Sequence, residues 1–588
     1  MPLPTQTTRR GVIPSGLVRE AAVAAVLAAG ISMLVFWPLR RLWGASWGPG
    51  DLLSTYNNVN AWGGLWYQPV PTNGYPGEMD LNLFPGIDIT QNTLAVALGA
   101  FSPSPFLGLN LLIIVSFPLT AALTVVAVRL VRLQGPWAVT IALAFTFIPY
   151  HWGRSLGHAY LGTTYAAVTG VILGLLIARG LLDRPTRLTL IGSAALIATT
   201  AWSGVYYAAF GLLVTLGAVL WRALTGASIR LLVRNAAVPV LLVVLAALAL
   251  IPAAISRATE SISSLGNRPP YESVELAGSL ALAVLPAPVS IAPYMGYYNE
   301  AILELTAGAP YNEALAITNY GTWTSLLALL FALSWAFLRL RHRLSLPPEF
   351  AFSAFMTAFL VLFFIPWGAN SLFANFVSAQ IRAWNRLLPI LLLFIFLLAA
   401  SALANTRTLR RIRISWVGSA VLLLVIIVDQ VMPYRALYSQ TVTRFAEDTN
   451  QAQEYATAVN SAIPEDCGII QLPFMIYPEN GTVEPQLNDY EHFWHSLLNR
   501  GKSWSYGAVR DTDSAARVEE LSRAAELADL ERLQSQQVCG IHVDLRGYSP
   551  QDGRALAERL EGDLGSPVAN GKDGEWLLFD TRGKAEQT

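Results

Sequence analysis

Lysine is almost missing from this chain of 588 residues, and charged residues of all kinds make up only 13% of it. The three lysines, Lys502, Lys572 and Lys584, all lie near the C-terminus. No basic tract is present, so the sequence does not predict nucleic-acid binding. It also has no phosphate-binding loop, no glycine-rich nucleotide fingerprint and no nucleophile elbow, which argues against direct use of ATP.

Cysteine occurs only twice, as Cys467 and Cys539, which excludes a cysteine-based zinc cluster and a disulfide framework. Each cysteine directly precedes a Gly-Ile pair that starts an apolar, strand-like segment. In a parallel sheet, the two cysteines would lie at the same end of their strands. A single disulfide is therefore expected only if those strands are neighbours, and two free thiols are the alternative.

Hydrophobic residues make up 54% of the chain, which is typical of a multispanning membrane protein. A helix needs about 20 apolar residues to cross about 30 Å of hydrocarbon. By this measure the sequence predicts an α-helical polytopic membrane protein with about eleven transmembrane helices, at approximately 20–39, 106–128, 136–150, 160–178, 188–202, 204–221, 236–255, 322–338, 350–367, 387–404 and 414–432.

Arginine is distributed unevenly between the connections of these spans. With the N-terminus in the cytoplasm, every inner connection is basic, as cytoplasmic loops usually are. The outer connections are rich in aromatic residues, Asn and Gly instead. We therefore expect a multi-pass protein of the cell membrane, whose inner arginines are Arg9, Arg10, Arg19, Arg129, Arg132, Arg179, Arg184, Arg187, Arg222, Arg230, Arg234, Arg339, Arg341, Arg343, Arg407, Arg410, Arg411 and Arg413.

Two outer connections, residues 43–105 and 256–321, are too long to be simple links, and long loops in a tightly connected bundle are usually functional. The second contains residues 276–289, an apolar stretch too short to cross, which predicts an interfacial or re-entrant element. After the last span the chain becomes charged and alternates helix-like with strand-like segments. The sequence thus predicts a transmembrane domain over residues 1–434 and a soluble extracytoplasmic α/β domain over residues 435–588.

Residues 42–128 contain no lysine or arginine, yet the first outer loop holds four acids, Asp51, Glu78, Asp80 and Asp88. Carboxylates gathered without a cation repel one another, so they need a partner from elsewhere. Three partners suit them: a divalent cation such as Mg²⁺ or Mn²⁺, an arginine from another loop, or a substrate hydroxyl whose proton a carboxylate accepts. The alternative is that they are solvated loop charges without a common role.

Cations of later outer loops are candidates to meet these acids. Arg154 and His158 are four residues apart, on one face of a helical turn. Such a pair suits a phosphate at the outer leaflet, because Arg binds phosphate oxygens through two hydrogen bonds and His donates another, or a proton. Snorkelling to the lipid headgroups is the alternative. Arg382 and Arg386 repeat this spacing, and Arg268 lies in the second long outer loop.

His492 and His495 lie three residues apart on a predicted helix of the soluble region, close to two acidic residues. This spacing is compatible with a metal site. Ordinary amphipathic packing is the favoured interpretation, because aromatic residues lie between the two histidines and no further pair of ligands is evident in the sequence.

A first span is followed at once by an acidic outer loop, further spans are linked by short basic inner loops, and a soluble outer domain follows the last span. This arrangement resembles the GT-C superfamily of integral membrane glycosyltransferases. The chain also carries the landmarks "YPGEMDLNLFPGID", "HWGRSLGHAYL", "SGVYYAAF", "NRPPYE", "IRAWNR", "QLPFMIYPE" and "KSWSYGA". As a set, these landmarks resemble a bacterial group labelled sugar translocase or glycosyltransferase-like membrane protein, and the resemblance covers most of the chain, from about residue 48 to 580.

This resemblance implies transfer of a sugar from a polyprenyl-phosphate donor to a cell-envelope glycan, lipid or protein acceptor, on the outer face and with inversion at the anomeric carbon. It maps the first-loop acid onto Asp51, as the general base, and the second acidic cluster onto Glu78 and Asp80. The segment "GPGD" departs from the family because it lacks the paired acid of some members. With Asp51 and Asp80 as catalytic residues, the predicted substrate-binding residues are Glu78, Asp88, Arg154, His158, Arg268, Arg382 and Arg386.

The main alternative is a transporter or flippase of lipid-linked sugars. Alternating access requires ionisable residues or broken helices near the membrane midplane. The predicted spans hold almost no acids at mid-depth, and the polar residues concentrate in the outer loops. The pattern therefore favours chemistry on one side of the membrane. A third alternative is a non-catalytic scaffold whose soluble domain binds a cell-envelope partner.

Overall fold

A computed structural model describes residues 15–83, 86–260, 268–287, 317–465, 467–480 and 487–582. Most of this part of the chain is helical. Short 3-10 helices lie at Trp37–Leu42, Leu81–Leu83, Ile317–Asn319, Trp384–Leu387, Leu545–Gly547 and Lys572–Gly574. The α-helices, numbered α1 to α24, are Ser15–Phe36, Asp51–Asn60, Ile89–Gly99, Leu107–Leu130, Pro136–Thr146, Pro149–Ser155, Ala159–Gly162, Tyr165–Ala178, Arg187–Ala201, Val205–Leu224, Ile229–Ala249, Ile251–Thr259, Glu272–Glu275, Leu280–Val284, Trp323–Arg341, Pro348–Phe364, Ala369–Phe376, Leu388–Ala404, Ile412–Ile426, Met432–Ala462, Phe493–Leu498, Asp513–Glu526, Leu530–Ser535 and Pro550–Leu564.

The apolar helices of the described residues match the predicted spans. Seven are long and apolar enough to cross a membrane, and an eighth is added if the bent pair Pro348–Phe364 and Ala369–Phe376 is one span. Three shorter apolar helices, Pro136–Thr146, Tyr165–Ala178 and Arg187–Ala201, accompany them. Each of the predicted stretches coincides with one of these segments, so the chain is a multi-pass membrane protein, and the number of complete crossings is approximate.

Burial separates a central helix from lipid-facing ones. The helix Leu388–Ala404 carries no charged residue, and all its residues are buried. A helix that is apolar on all sides is stable in the interior of a bundle. It packs against Pro348–Phe364 and Trp323–Arg341. In contrast, Ile229–Ala249 exposes many of its Val and Leu side chains, which suits contact with lipid.

The last span leads directly into the C-terminal region. A π-helical turn, Ile427–Val431, joins Ile412–Ile426 to the long helix Met432–Ala462. The predicted domain boundary at residue 434 therefore falls inside a helix. Hydrophobic residues become less frequent after the first turns of that helix, and its later segments, such as "EDTNQAQE", are polar.

A five-stranded sheet forms the centre of the C-terminal region. Its strands, in chain order β1 to β5, are Gly468–Leu472, Ser503–Trp504, Val538–Asp544, Ala569–Gly571 and Trp576–Asp580, and their order in the sheet is β2-β1-β3-β5-β4. The strand β1 runs parallel to β2 and β3, whereas β5 is antiparallel to β3 and β4. The two long parallel strands are buried along their whole length, as their nearly continuous apolar sequences predict.

The two cysteines form a disulfide. Cys467 and Cys539 stand at the same end of β1 and β3, which are neighbours in the sheet, and their Cα atoms are 5.5 Å apart. The condition that the sequence set for a bridge is thus met.

The first outer loop is joined to this sheet. Backbone hydrogen bonds run from Gly74 N to Tyr506 O (2.9 Å), from Tyr75 N to Trp504 O (3.0 Å) and from Trp504 N to Thr72 O (2.9 Å). This stretch of the loop therefore covers the edge of the sheet at β2, where unpaired backbone groups would otherwise face water. The loop and the C-terminal sheet consequently form one layer at one end of the bundle.

The second long outer loop is described only in part. Of the predicted loop 256–321, residues 261–267 and 288–316 lie outside the described residues. The predicted interfacial or re-entrant stretch contains the short helix Leu280–Val284 and does not cross the bundle. Gly278 N donates to Phe364 O at 2.7 Å, which holds the stretch against the end of a transmembrane helix.

Candidate active site

Asp51 is the first residue of the helix Asp51–Asn60, and two glycines of "GPGD" set its position. A Cβ atom at Gly48 would lie 2.6 Å from the carbonyl oxygen of Leu156, so only glycine permits this approach. Gly50 has a φ of +56°, which glycine adopts at little cost. The motif thus brings the start of this helix against the segment that carries His158.

Asp51 and His158 form a pair across this contact. The distance between His158 Nδ1 and Asp51 Oδ2 is 3.2 Å. The Asp51 side chain is 52% exposed and the His158 side chain 32% exposed, so a substrate can reach both. Asp51 stands at a helix N-terminus, where the backbone N–H groups attract anionic groups.

The C-terminal region contributes two tyrosines to this site. Tyr477 and Tyr490 are buried and lie close enough to Asp51 for its charge to act on both. Burial, with Asp51 adding to it, raises the pKa of both phenols well above the usual range. They therefore stay neutral hydrogen-bonding groups beside the carboxylate. The site consequently includes groups from both ends of the chain.

Asp88 lies in a cradle formed by two glycines. It immediately precedes the helix Ile89–Gly99. A Cβ atom at Gly86 would lie 2.4 Å from Asp88 Oδ2, and one at Gly204 would lie 2.7 Å from Asp88 Oδ1. Any larger residue at either position would displace the carboxylate. Asp88 also acts on the buried phenol of Tyr67, whose pKa is raised by burial first and by this charge second.

An aromatic cleft opens beside Asp88. It is shallow, with a cavity volume of about 20 Å³, and is lined by Trp62, Leu65, Trp66, Tyr67, Asn82, Gly86, Ile89, Ala249, Pro252 and Ala253. The rings of Trp62 and Tyr67 pack edge to face with centroids 5.2 Å apart. Aromatic faces with a few polar groups at their edge are suited to sugar rings or to apolar lipid chains.

Burial raises the pKa of Asp88 to about 7. Between these two pKa values, the Asp88 carboxyl is protonated in the folded protein and ionised in the unfolded chain, whose pKa is 3.8. The stability of the wild-type protein should fall as the pH rises from about 4 to about 7. We expect Asp88→Asn to have a higher Tm than the wild type at pH 8, with a smaller difference at pH 5, in thermal denaturation of the purified protein.

Asp80→Asn is the matched control for this measurement. Its carboxylate accepts two hydrogen bonds from Asn82, so its loss should lower the Tm at both pH values. An Asp88→Asn protein whose Tm differs from the wild type by the same amount at both pH values would show that Asp88 does not titrate near neutrality.

Two of the predicted first-loop acids occupy other positions. Asp80 Oδ1 accepts from the backbone N and the side-chain Nδ2 of Asn82, both at 2.8 Å, in a local turn. Glu78 is exposed, in the part of the loop that covers the sheet edge. Within the described residues, no hydrogen bond or ion pair joins either acid to Asp51.

Arg154 and Arg386 belong to one aromatic patch. Arg154 is buried, with its guanidinium carbon 5.5 Å from the centre of the Tyr150 ring. The guanidinium of Arg386 lies over the Tyr206 ring at 4.5 Å. Tyr207 lies close enough to both arginines to interact electrostatically with each of them. Arg154 and Arg386 thus approach the same phenol, Tyr207, from two different connections of the bundle.

Arg268 and Arg382 occupy a separate cluster of ion pairs. Arg382 contacts Glu272 at 3.0 Å and Glu479 at 3.4 Å. Arg268 contacts Glu479 at 3.0 Å and Glu272 at 4.0 Å. Two carboxylates therefore neutralise two guanidinium groups. The cluster joins the second outer loop, the segment before Trp384–Leu387 and the C-terminal region.

Two outer connections link these groups. The first connection, 154–160, contains the cation Arg154 and also His158, which contacts Asp51. It ends at Tyr160, whose phenol interacts with the Asp88 charge. The connection Trp202–Tyr206 hydrogen-bonds to the Asp88 region through Gly204 N and Ile87 O at 3.0 Å, and ends at the ring beneath Arg386. One connection thus carries Arg154 and the partner of Asp51, and the other links the Asp88 region to the ring beneath Arg386.

Metal ligands gather elsewhere in the described residues. The only group of three or more His, Cys, Asp and Glu side chains that could hold a metal consists of His492, His495 and His542, in the C-terminal region. The four acids of the first outer loop do not form such a group in the described part of the chain. The divalent cation considered for them has no three-ligand site there.

The chain matches no family model and no curated protein. Solved structures with a similar fold include an oligosaccharyltransferase of Archaeoglobus fulgidus, at 15% identity and a TM-score of 0.42, covering 93% of this chain and 72% of that one. ArnT of Cupriavidus metallidurans has 11% identity and a TM-score of 0.46, with 94% and 98% covered. The arabinofuranosyltransferase AftD from Mycobacteria has 14% identity and a TM-score of 0.47, with 96% and 41% covered.

The sequence did not reveal several residues of the site. Tyr477 and Glu479 lie in the landmark "QLPFMIYPE", but nothing local to that segment indicates contact with outer loops hundreds of residues away. Tyr67 and His542 were missed for the same reason. A histidine inside the otherwise apolar strand segment "CGIHVDL" was the one local signal of an unusual polar group in the sheet.

Proposed function

We propose that this protein is a membrane glycosyltransferase that transfers a sugar from a polyprenyl-phosphate donor to a hydroxyl of a cell-envelope acceptor, on the outer face and with inversion. The observation that supports the proposal is the contact between Asp51 and His158, which stands on the same short connection as the buried Arg154. Carboxylates and cations side by side suit a reaction that removes a proton and releases a phosphate.

Asp51 is the general base of this proposal. His158 Nδ1 donates to Oδ2 and orients the carboxylate, so Oδ1 receives the proton of the acceptor hydroxyl. The hydroxyl oxygen attacks the anomeric carbon from the side opposite the phosphate. The new glycosidic bond forms as the bond from the anomeric carbon to the phosphate oxygen breaks, and the electron pair leaves with the polyprenyl phosphate.

Arg154 and Arg386 receive the leaving phosphate in this proposal. A guanidinium binds phosphate oxygens through two parallel hydrogen bonds and keeps its charge at every physiological pH. Negative charge grows on the phosphate as the bond breaks, so these contacts strengthen in the transition state and raise the rate. The arginines Arg268 and Arg382 are already neutralised by Glu272 and Glu479, and we assign them to holding the outer layer together.

Purified protein, incubated with radiolabelled polyprenyl-phosphate sugars and cell-envelope acceptors, tests this function. We expect label in the acceptor fraction and free polyprenyl phosphate in equal amount. The same preparation in proteoliposomes that contain a labelled lipid-linked sugar tests the alternative. Movement of the intact lipid across the bilayer without any transfer would identify a flippase and contradict the proposal.

The disulfide supports an extracytoplasmic C-terminal region, because stable disulfides form in oxidising compartments. We expect protein from cells denatured directly in maleimide-polyethylene glycol to bind this reagent only after reduction, and then at both cysteines. The double variant Cys467→Ser/Cys539→Ser should lose about 2–4 kcal/mol of stability. The single variant Cys467→Ser is the control, because its remaining thiol should react without reduction. Two reactive thiols in unreduced wild-type protein would indicate a cytosolic location.

A further inference from the structure

Three histidines converge in the interior of the C-terminal region. His492 and His495 lie at and within the short helix Phe493–Leu498, and His542 lies in the middle of strand β3 (Val538–Asp544). Each offers a ring nitrogen, and these nitrogens lie within 4.8 Å of one another. The three residues are 1%, 2% and 0% exposed, so bulk water does not satisfy their polar atoms. Such a group is a costly arrangement for a purely structural core.

One ring nitrogen of His492, Nδ1, has a lone pair that accepts no hydrogen bond from the described residues. Its Nε2 lies 3.1 Å from the carbonyl oxygen of Pro473, which can only accept a hydrogen bond, so Nε2 carries the proton. Nδ1 is then an unprotonated acceptor. It is buried, and no hydrogen-bond partner for it is present within the described residues.

His542 also has one ring nitrogen that is hydrogen-bonded and one that has no partner among the described residues, and the Tyr455 hydroxyl can accept a hydrogen bond from the first. Its Nδ1 is hydrogen-bonded to the hydroxyl of Tyr455 at 2.7 Å. Its Nε2 is buried and, in the part of the chain that the structure describes, also has no partner. In protein metal sites, one ring nitrogen of a histidine binds the ion while the other is held by an outer hydrogen bond of this kind. The carbonyl of Pro473 and the hydroxyl of Tyr455 supply these outer bonds here.

The surrounding charges favour a cation. Asp544 and Glu491 are buried next to the histidines, and both pair with Arg546, at 2.7 Å and 2.5 Å. Glu575 approaches the same guanidinium at 3.7 Å, and the nearby Lys572 pairs with Asp448, so carboxylates outnumber cations around the three imidazoles.

We propose that His492, His495 and His542 bind a divalent transition-metal ion, which we assign as Zn²⁺. Three imidazole ligands suit zinc, and no thiolate competes for the ion because Cys467 and Cys539 form a disulfide. Zinc–nitrogen bonds of about 2.0 Å place the nitrogens about 3.3 Å apart in a tetrahedral site. Small side-chain rotations bring the three nitrogens from their present separations to that geometry.

The ion would fasten the segment at Phe493–Leu498 to strand β3. This segment packs against the helix Asp51–Asn60, which begins with Asp51, so the metal would support the outer layer on which the candidate active site rests. The ion does not contact the reacting groups. The inference is independent of the proposed function, since it depends only on the contents of the C-terminal region.

The test uses the full-length protein, purified in detergent through a tag without histidines and without chelator. Because the site is buried, we expect bound zinc to survive purification and inductively coupled plasma mass spectrometry to find about one zinc per chain. The double variant His495→Ala/His542→Ala should hold less than about a tenth of that amount. His342→Ala is the matched control, since His342 is exposed on an inner connection, and it should keep the wild-type content.

A second measurement on the wild-type protein does not depend on how the variants fold. Protein stripped with a chelator and titrated with Co²⁺ alone should develop the visible d–d bands of a tetrahedral site, without a sulfur charge-transfer band. Its Tm should rise by several degrees on addition of Zn²⁺. Wild-type protein that binds neither Zn²⁺ nor Co²⁺, or a double variant with unchanged zinc content, would overturn the proposal.

Discussion

Asp51→Asn should reduce sugar transfer by about 10²- to 10⁴-fold, which is the contribution of a general base to a transfer reaction. The amide keeps the shape of the side chain and can still contact His158, but it cannot accept the proton of the acceptor hydroxyl. Because the Asp51 side chain is 52% exposed, the substitution should leave the fold and the Tm nearly unchanged. Initial rates with saturating donor and acceptor, together with a thermal scan of each preparation, measure both expectations.

Asp563→Asn is the matched control, since Asp563 is an exposed carboxylate on the last helix, Pro550–Leu564. It should have the wild-type rate. His158→Ala should show a smaller loss than Asp51→Asn, because it removes the group that orients the base and leaves the base itself. Wild-type turnover by well-folded Asp51→Asn protein would reject Asp51 as the base and direct attention to Asp88, the second carboxylate of the same region.

Arg154→Met should raise the KM for the polyprenyl-phosphate donor by about 10- to 100-fold, the range expected for loss of a charge-assisted hydrogen bond. Methionine keeps much of the volume of the buried stem, so packing against Tyr150 is largely preserved. The donor KM of Arg154→Lys should lie between those of the wild type and Arg154→Met, because a lysine keeps the charge and loses the paired hydrogen bonds. Steady-state kinetics with a short-chain polyprenyl-phosphate sugar provide the measurement.

Arg268→Gln is the comparison for Arg154→Met. Its guanidinium is already paired with Glu479 at 3.0 Å, so its loss should change the donor KM by less than about threefold and act on thermal stability instead. The reverse result, a large KM effect at Arg268 and none at Arg154, would move the phosphate site to the ion-pair cluster of Arg268, Arg382, Glu272 and Glu479.

Much of the architecture follows from local features of the sequence. Long apolar runs indicate transmembrane helices, because a chain in lipid has to form all its backbone hydrogen bonds internally. Each predicted run coincides with an apolar helix. The apolar segments after Cys467 and Cys539 become neighbouring parallel strands, because buried strands have nearly continuous hydrophobic sequences. The helices Asp513–Glu526 and Leu530–Ser535 are separate, since Ala528 between them has a positive φ.

The site was less predictable because its contacts join distant parts of the chain. Spacing placed Arg382 and Arg386 on one helical face, yet Arg382 lies in an ion-pair cluster with Glu479, and Arg386 packs on Tyr206. The acids of "EMD" gave no sign that Asp80 would bind its own backbone neighbour Asn82. His542 illustrates the same limit, since a third ligand from another strand changes the interpretation of His492 and His495, and no spacing rule connects them.

Photo-crosslinking with a polyprenyl phosphate that carries a diazirine next to its phosphate tests the central claim most directly. The claim is that a lipid phosphate docks where Asp51, Asp88, Arg154 and Arg386 meet. We expect mass spectrometry to find crosslinks in the connection that carries Arg154 and His158 and at Trp384–Leu387, and excess unlabelled polyprenyl phosphate to prevent them. Crosslinks confined to the basic connections at the other end of the bundle, such as the one that carries Arg407 and Arg410, would contradict the account.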